Sequence, residues 1–453
     1  MSKLKAVILA AGAGTRMKSE LPKVVHKILG KTMLDYVIES AINAGADDIC
    51  VVIGHEADTV KKAVSYDVEF VLQEDQLGTG HAVMQAKEFI GNEGNVLILF
   101  GDTPLISEDT LLKMVDYHIR HDNAATLLST IVEDPTGYGR IIRDETHTFI
   151  KSVEHKDATE SEKMICEINS GMYCFDAKAL NEALKTLSND NAQGEYYLPD
   201  TLKSIMAKRL NVNAMISDRY EDILGVNSKV QLYQAGTIMQ KRINFQHMEN
   251  GVTIMNPSHT YISKDATIGA DTTIYPNNHI EGKTTIGKNC IIGPNCRIVD
   301  SHIGEYVNVD GSTILDSQIG NYTTVGPFAY IRPGSIIGHH AKIGDFVEIK
   351  NATMGDYTKA SHLTYVGDAD VGNHVNFGCG SVVVNYDGEK KHRTTIEDNA
   401  FIGCNTNLVS PVKVEESAYT AAGSTITKNV PSYALGIGRA RQVNMEEWVK
   451  RNR

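Results

Sequence analysis

"TTIGKNCIIGPNCRIVDSHIG", residues 284–304, sets an aliphatic residue beside a glycine three times, at Ile286-Gly287, Ile292-Gly293 and Ile303-Gly304. The pair recurs at Ile268-Gly269, Ile319-Gly320, Val325-Gly326, Ile337-Gly338, Ile343-Gly344, Val366-Gly367, Val371-Gly372 and Ile402-Gly403. Successive glycines are 18, 6, 11, 16, 6, 12, 6, 23, 5 and 31 residues apart; five of these ten gaps are 6, 12 or 18, and others miss a multiple of six by one. A six-residue period belongs to the hexapeptide β-helix, in which three short strands make one triangular coil. The aliphatic side chain points inward and stacks on the coil above, and the small residue beside it lets the chain turn the corner. Residues 252–430 then give roughly ten coils of about 18 residues. A β-sandwich with glycine-rich turns is the competing architecture, but sandwiches do not keep a six-residue register over such a length. "VNYDGEKKHRTT", 384–395, is too polar for a coil face and reads as a loop thrown out from the prism.

Residues 1–226 keep another rhythm. "KAVILAA", "ICVVIG", "VEFVLQ" and "NVLILFGD" are short apolar runs with helical stretches between them. In "MLDYVIESAINAGA", Met33, Val37, Ile38 and Ala41 share one face, and Gly45 ends the helix. This alternation predicts a mostly parallel sheet covered by helices, with sites at the carboxyl ends of strands. "SKVQLYQAGTIMQKRINFQHME", 228–249, predicts a connecting helix. Its signals are a Ser228/Gln231 capping box, a loose stripe of Val230, Tyr233, Ile238 and Met239, and a stop at the "NG" of 250–251. The expected division is therefore 1–226, 227–249 and 250–453.

The balance of 44 Lys and Arg against 56 Asp and Glu gives a net charge of −12, which disfavours general nucleic-acid binding. Seven cysteines without a C-x-x-C argue against a disulfide frame or zinc knuckle and fit a reducing cytoplasm. The short N-terminal apolar run dissolves into glycines and does not read as a signal peptide, and no run is long enough for a membrane span.

One loop concentrates charge against this background: "LAAGAGTRMKSELPK", Leu9 to Lys23. Met17 stands where a dinucleotide fingerprint needs its third glycine, and no G-K-[ST] follows as in a P-loop. Gly12 and Gly14 nevertheless let backbone N–H groups approach an anion, Arg16 and Lys23 add full charge, and Pro22 holds the segment extended. The loop reads as a triphosphate cradle or, failing that, a structural glycine turn. "QLGTGHA", 76–82, suits close approach by a base or ribose. In "LFGDTPL", 99–105, Asp102 is either a Mg2+ ligand or the N-cap of the helix after Pro104. "GYGR", "VEHKDA", "EINSG" and "GVNS" are polar clusters without an evident core role.

In this order the segments resemble the family of bacterial bifunctional N-acetylglucosamine-1-phosphate uridylyltransferase/glucosamine-1-phosphate N-acetyltransferases. "RPG", "EIKNA", "SHLTYVGDA" and "NYDG" resemble its acetyltransferase half, so the match covers nearly the whole chain. The resemblance implies an α/β Rossmann-like nucleotidyltransferase domain, a linking helix, and a left-handed parallel β-helix that forms a homotrimer. The left hand comes from the family, since ordinary crossover rules favour the right. The implied substrates are UTP, N-acetylglucosamine 1-phosphate, glucosamine 1-phosphate and acetyl-CoA, with Mg2+ as cofactor and no nucleic acid or membrane partner.

Carried onto this chain, the resemblance assigns Leu9, Ala10, Ala11 and Gly12 to the UTP loop. Arg16 and Lys23 stabilise phosphate charge, and Gln73, Gly78 and Thr79 read the uracil and its surroundings. Asp102 and Asn227 hold Mg2+, while Gly139, Glu154 and Asn169 contact the amino sugar. In the second half His362 is the expected base for acetyl transfer, with Glu348 expected to orient it. Arg332 and Lys350 meet the sugar phosphate, and Tyr365, Asn376, Asn385 and Tyr386 meet hydroxyl and acyl groups. Cys379, Cys404, Ala422 and Arg439 contact coenzyme A. The tail residues Arg439, Arg441, Lys450, Arg451 and Arg453 could meet its phosphates or simply be solvated. Cys404 and Cys379 depart from an expected serine and alanine; both are small, and Cys404 opens the site to thiol reagents. Two other readings compete: a single-activity sugar-1-phosphate nucleotidyltransferase with a structural trimerising β-helix, and a non-catalytic sugar-nucleotide sensor. His362, Asn385 and "NYDGEKK" argue against the first, and the Asp102/Asn227 pair against the second.

Overall fold

The computed structural model describes residues 3–191 and 193–452. They fall into two compact units, divided between Met239 and Gln240. Arg453 lies outside the described residues.

In the first unit the apolar runs form one sheet in the order Val212–Ile216, Ala125–Ile131, Glu167–Asp176, Asn95–Phe100, Leu4–Leu9, Asp48–Ile53, Glu69–Leu72. All neighbours on this path run parallel except Glu167–Asp176, which is antiparallel to both of its own. Alternate residues of the central strands feed opposite cores. Val7, Val52, Val96 and Ile98 pack on one face, and Ile8, Val51, Leu97 and Leu99 on the other. The second face is covered by helices Met33–Asn43 and Glu108–Arg120, capped by Thr32 and Ser107. Met33, Val37, Ile38 and Ala41 are all fully buried, and Gly45 leaves the first helix at φ +90. Alternation of the apolar runs did not announce the long antiparallel strand. Its register shifts between Asn169 and Tyr173, an irregularity that spans "NSG".

The connecting helix runs Lys229–Glu249. Ser228 Oγ accepts from the Gln231 N–H at 3.2 Å, as a cap should. The Gln231 side chain, however, reaches the N–H of Asn227 rather than that of Ser228, so the box is closed one residue early. The expected stripe also shifts. Val230 and Tyr233 are exposed, and the buried face is Ala235, Met239 and Ile243, spaced i, i+4, i+8, with Gln240 and Asn244. The two amides donate to the carbonyls of Pro257 and Thr260. Gly251 ends the helix at φ +89. Among the described residues no helix is long and apolar enough to cross a membrane.

The second unit is a left-handed parallel β-helix with walls of eleven, ten and nine strands. Ile298, Ile314 and Ile331 lie in register on successive coils of one wall, and Ile303, Ile319 and Ile337 on another, each 1% exposed or less. Burial of each such side chain contributes roughly 1.5–3 kcal/mol. Of the repeat glycines Gly326 takes positive φ, at +104, but others act differently from expectation. Gly320 and Gly338 do not take positive φ. A Cβ on Gly320 would stand 2.5 Å from the backbone carbon of Gly338, so glycine is needed because coils approach closely. The turn is made two residues later, by Tyr306, Tyr322, His340, Tyr357 and His374 at φ of 54 to 59. Side chains in that region cost about 1–3 kcal/mol each. Here the rings stack with centroids 4.7 to 4.9 Å apart, which offsets part of that cost. The polar segment lies between strands Val382–Val384 and Thr394–Ile396. Asp387 braces it by accepting from the N–H groups of Glu389 and Lys390.

Ile314→Ala removes one rung from the middle of the stack. It should destabilise the protein by roughly 2–5 kcal/mol, read as a lower urea midpoint in circular dichroism of the full chain.

Candidate functional site

Strands Leu4–Leu9 and Asn95–Phe100 are neighbours whose connections leave in opposite directions, so their carboxyl ends flank a crevice. A hollow of about 330 Å3 opens there, lined by Leu9, Ala10, Ala11, Gly12, Lys23, Gln73, Gly78, Thr79 and Asp102. Nine residues expected on sequence grounds thus share one wall. Gln76, Phe100 and Glu195 also line it and were not singled out. Gln76, inside the quoted "QLGTGHA", donates to the Ala11 carbonyl at 2.7 Å and ties that turn to the glycine loop.

The glycines have separable reasons. A Cβ on Gly12 would meet nothing within 4 Å, so this glycine leaves room for a ligand. Gly14 is left-handed at φ +61, and a Cβ there would stand 2.6 Å from Lys23 Cβ, so this one seats the lysine. A Cβ on Gly78 or Gly80 would stand 2.8 or 2.9 Å from the carbonyl oxygen of Tyr196, so both glycines also answer to close backbone packing, while Gly78 lines the hollow. Pro22 is itself extended, at φ −50 and ψ 140, and leads into a 3-10 turn over Lys23–Val25. Arg16 is exposed on the turn Thr15–Met17 and does not line the hollow.

Lys23 is 14% exposed, and its ammonium donates to Asp102 Oδ2 and, at 2.9 Å, to Asn227 Oδ1. The two residues expected to hold a metal therefore converge on one positively charged point. Asp102 does not cap a helix; Ser107 caps Glu108–Arg120. Val226 N–H donates to the Asp102 carbonyl at 2.8 Å, which brings "GVNS" to the strand end.

A second hollow of about 180 Å3 shares Thr79 and Phe100 with the first and is lined by Gly139, Glu154, Asn169 and Tyr173. Asn169 donates to Tyr173 Oη at 2.7 Å and to Ser152 Oγ at 3.1 Å, and its Oδ1 accepts from the Gly171 N–H. Burial, then the carboxylates of Asp157 and Asp200, push the Glu154 carboxyl above the ordinary range.

In the β-helix, Asp345 and His362 pair in register on successive coils, with Asp345 Oδ1 2.5 Å from His362 Nδ1. Glu348, expected in that role, instead accepts from Arg332 at 2.8 Å. The reason is positional: Asp345 stands directly over His362 in the ladder, whereas Glu348 stands over Tyr365 on the next wall. Counting two residues past Ala360, Phe377, Ile402 and Thr420 places His362, Cys379, Cys404 and Ala422 in one column along a single corner. Asn405 N–H donates to the Cys379 carbonyl and Gly423 N–H to that of Cys404, consistent with that stacking.

A second constellation joins Lys350, Asp368, Asn385, Tyr365 and Asn351. Asp368 accepts from Lys350 at 2.9 Å, Asn351 at 2.7 Å and Asn385 at 2.5 Å, and Asn385 also reaches Tyr365 Oη at 3.4 Å. Burial opposes the Asp368 charge, yet these hydrogen bonds outweigh it and hold its pKa below the ordinary range. Lys391, unmarked in sequence, lies beside Lys350, whose ammonium holds the Lys391 pKa down. Tyr386 is exposed, donates to the Gly388 carbonyl and is bridged through its backbone to Lys391. Asn376 is half-buried, and Arg439 is exposed beyond the last strand, Leu435–Gly436. Asp345 precedes His362 by 17 residues and Asn351 precedes Asp368 by the same number, which is the coil length here. Counting by coils would have found both pairs.

A nucleotidyl transferase family model matches residues 5–234. A model for the GMPPB C-terminal domain matches 257–365, and one for the hexapeptide repeat of succinyl-transferase matches 393–428. The Bifunctional protein GlmU of Clostridioides difficile is 54% identical over 447 residues, covering 99% of this chain and 97% of that protein. Proteins of the same name from Alkaliphilus oremlandii and Caldanaerobacter subterraneus are 56% and 55% identical, each covering 99% of this chain and 98% of its own length.

Two structural predictions follow from the hollows. Gly14→Ala should lower the thermal midpoint, whereas Gly12→Ala should leave it unchanged, as differential scanning fluorimetry would read. Glu154 has a folded-state pKa above its unfolded value, so its ionisation opposes folding as pH rises. Glu154→Gln should therefore raise the thermal midpoint at pH 7, and the gain should shrink as pH falls through the carboxylate range.

Proposed function

The chain belongs to the GlmU family of bifunctional proteins, and we propose on that premise how its two halves divide the work. It is an enzyme with uridylyltransferase and acetyltransferase activities. Residues 1–226 carry the uridylyl transfer, 227–249 link, and 250–453 carry the acetyl transfer. Glucosamine 1-phosphate is acetylated from acetyl-CoA. The N-acetylglucosamine 1-phosphate formed then takes a uridylyl group from UTP and releases pyrophosphate.

The observation that carries the reading is the pair of abutting hollows at the sheet end. One has an open glycine loop and a lysine in its lining; the other has a half-buried carboxyl, Glu154, and a buried amide, Asn169. A triphosphate nucleotide and an amino sugar fit such neighbours. Gln73 presents a carboxamide suited to a uracil edge. The attacking phosphate oxygen approaches an α-phosphorus that is itself surrounded by negative charge, so alignment and neutralisation dominate catalysis. Asp102 and Asn227 would hold Mg2+: both offer hard oxygens, and both already face one cationic point, the Lys23 ammonium. Bound there, Mg2+ supplies charge neutralisation on the phosphates. Lys23 and Arg16 add positive charge from the protein, and Gly139, Glu154 and Asn169 orient the sugar.

In acetyl transfer the amine nitrogen of glucosamine 1-phosphate attacks the thioester carbonyl and its proton passes to His362; the C–N bond forms, the C–S bond breaks, and coenzyme A leaves as a thiolate that takes that proton back from the imidazolium. Arg332, Lys350 and Lys391 draw the sugar phosphate, and Tyr365, Asn376, Asn385 and Tyr386 hold hydroxyl and acyl groups. The corner column of Cys379, Cys404 and Ala422, with Arg439 beyond it, takes coenzyme A. The protein acts in the cytoplasm as a homotrimer. Support for trimerisation comes from Phe328, Phe346 and Leu363, which stand exposed on consecutive coils beside His362.

Both activities should be assayed on the same preparations. Asp102→Ala should lose uridylyl transfer by roughly a hundredfold or more and keep acetyl transfer. His362→Ala should do the reverse, by roughly a hundredfold or more. Loss of both activities in each folded variant would refute the division.

A further inference from the structure

We propose that Asp345 is the positioning residue for His362, fixing its imidazole across the gap between two coils so that Nε2 is presented to the amine. This rests on the reading of His362 as the base.

The geometry leaves little choice of partner. Asp345 ends strand Lys342–Asp345, His362 ends strand Lys359–His362, and the two are paired in the ladder. The Leu363 N–H donates to the Asp345 carbonyl at 3.0 Å, and Thr364 Oγ1 donates to the His362 carbonyl at 2.7 Å, so both backbones are fixed. Across that spacing Asp345 Oδ1 meets His362 Nδ1 at 2.5 Å. The other nearby acid, Glu348, is held by Arg332.

An ionised carboxylate can only accept a hydrogen bond. The contact with His362 holds the Asp345 carboxyl below its ordinary range, with Lys342 adding a smaller effect in the same direction. The single proton of a neutral His362 therefore sits on Nδ1, and the lone pair sits on Nε2 at the far side of the ring. When the amine proton arrives at Nε2, the imidazolium formed lies against an existing negative charge. No proton needs to move to Asp345. Because wall strands rather than a mobile loop carry both residues, the ring's direction is set by coil stacking.

The test compares Asp345→Ala, Asp345→Asn, His362→Ala and the His362→Ala/Asp345→Ala double variant in the full-length protein, with acetyl and uridylyl transfer measured on each. Asp345→Ala should lower kcat of acetyl transfer roughly tenfold or more and leave KM for glucosamine 1-phosphate within about twofold. Uridylyl transfer should be unchanged. Asp345→Asn keeps an acceptor oxygen but loses the charge, and its kcat should fall between the two. On the His362→Ala background, Asp345→Ala should have no further effect, because nothing remains to be positioned. Wild-type kcat in Asp345→Ala, a loss confined to KM, or the same loss repeated without His362 would each overturn the proposal. Should Asp345→Ala also lose uridylyl transfer through misfolding, Asp345→Asn decides: a lowered kcat supports the role, and an unchanged one refutes it. Full acetyl transfer in His362→Ala would instead remove the base assignment itself.

Discussion

A branched aliphatic side chain stacked on its counterpart one coil away, with the two backbones paired in parallel, is the constraint from which the coils of residues 253–436 follow. Ile298, Ile314 and Ile331 illustrate it: each is fully buried and each sits in register with the next. Stacking at that distance forces small residues where backbones nearly touch, as at Gly320 and Gly338. It forces left-handed backbone where walls meet, and it converts sequence spacing into spatial columns. The Asp345/His362 contact and the Cys379, Cys404 and Ala422 column are products of the coil length. A catalytic group placed on such a wall inherits the rigidity of the whole stack.

The first unit solves a different problem with a similar economy. Two loops leaving adjacent strands bring Ala10–Gly12 and Asp102 together, and Lys23 is seated against them because Gly14 has no side chain. The lysine is held by Asp102 and Asn227, so three distant segments close on one charge. A partly buried ammonium needs such partners, and two oxygens aimed at a cation suit an anionic ligand only when further positive charge arrives with it.

Much of this was legible in the residues. The six-residue period exposed the coils because every coil repeats the same inward aliphatic position. The strand-end loops were legible because glycine, lysine and aspartate are rare together after apolar runs. What sequence hid were relations set by register or tertiary packing. Glu348 is nearer to His362 in name than in space, since one wall separates them, while Asp345 is a coil away and in contact. Gly78 reads as a ligand glycine and lines the hollow, but sequence hid that it also yields room to Tyr196, a residue over a hundred positions away. The helix Lys229–Glu249 misled because apolar residues at Val230 and Tyr233 stay exposed, and Ala235, a small residue, is on its buried face.

The corner columns also bear on how such a chain avoids wrong answers while it folds. Among the described residues no Val, Ile or Thr has positive φ, and the left-handed corners of the coils fall to Asn, Asp, Gly, Leu363, Ser417 and rings such as Tyr322 and His340. A slip of one position would thrust a β-branched side chain into the left-handed bend and a tyrosine into the narrow interior. Because β-branched residues stay out of the corners, the repeats, nearly alike in their cores, can still be told apart from their own misaligned copies as each coil winds onto the last.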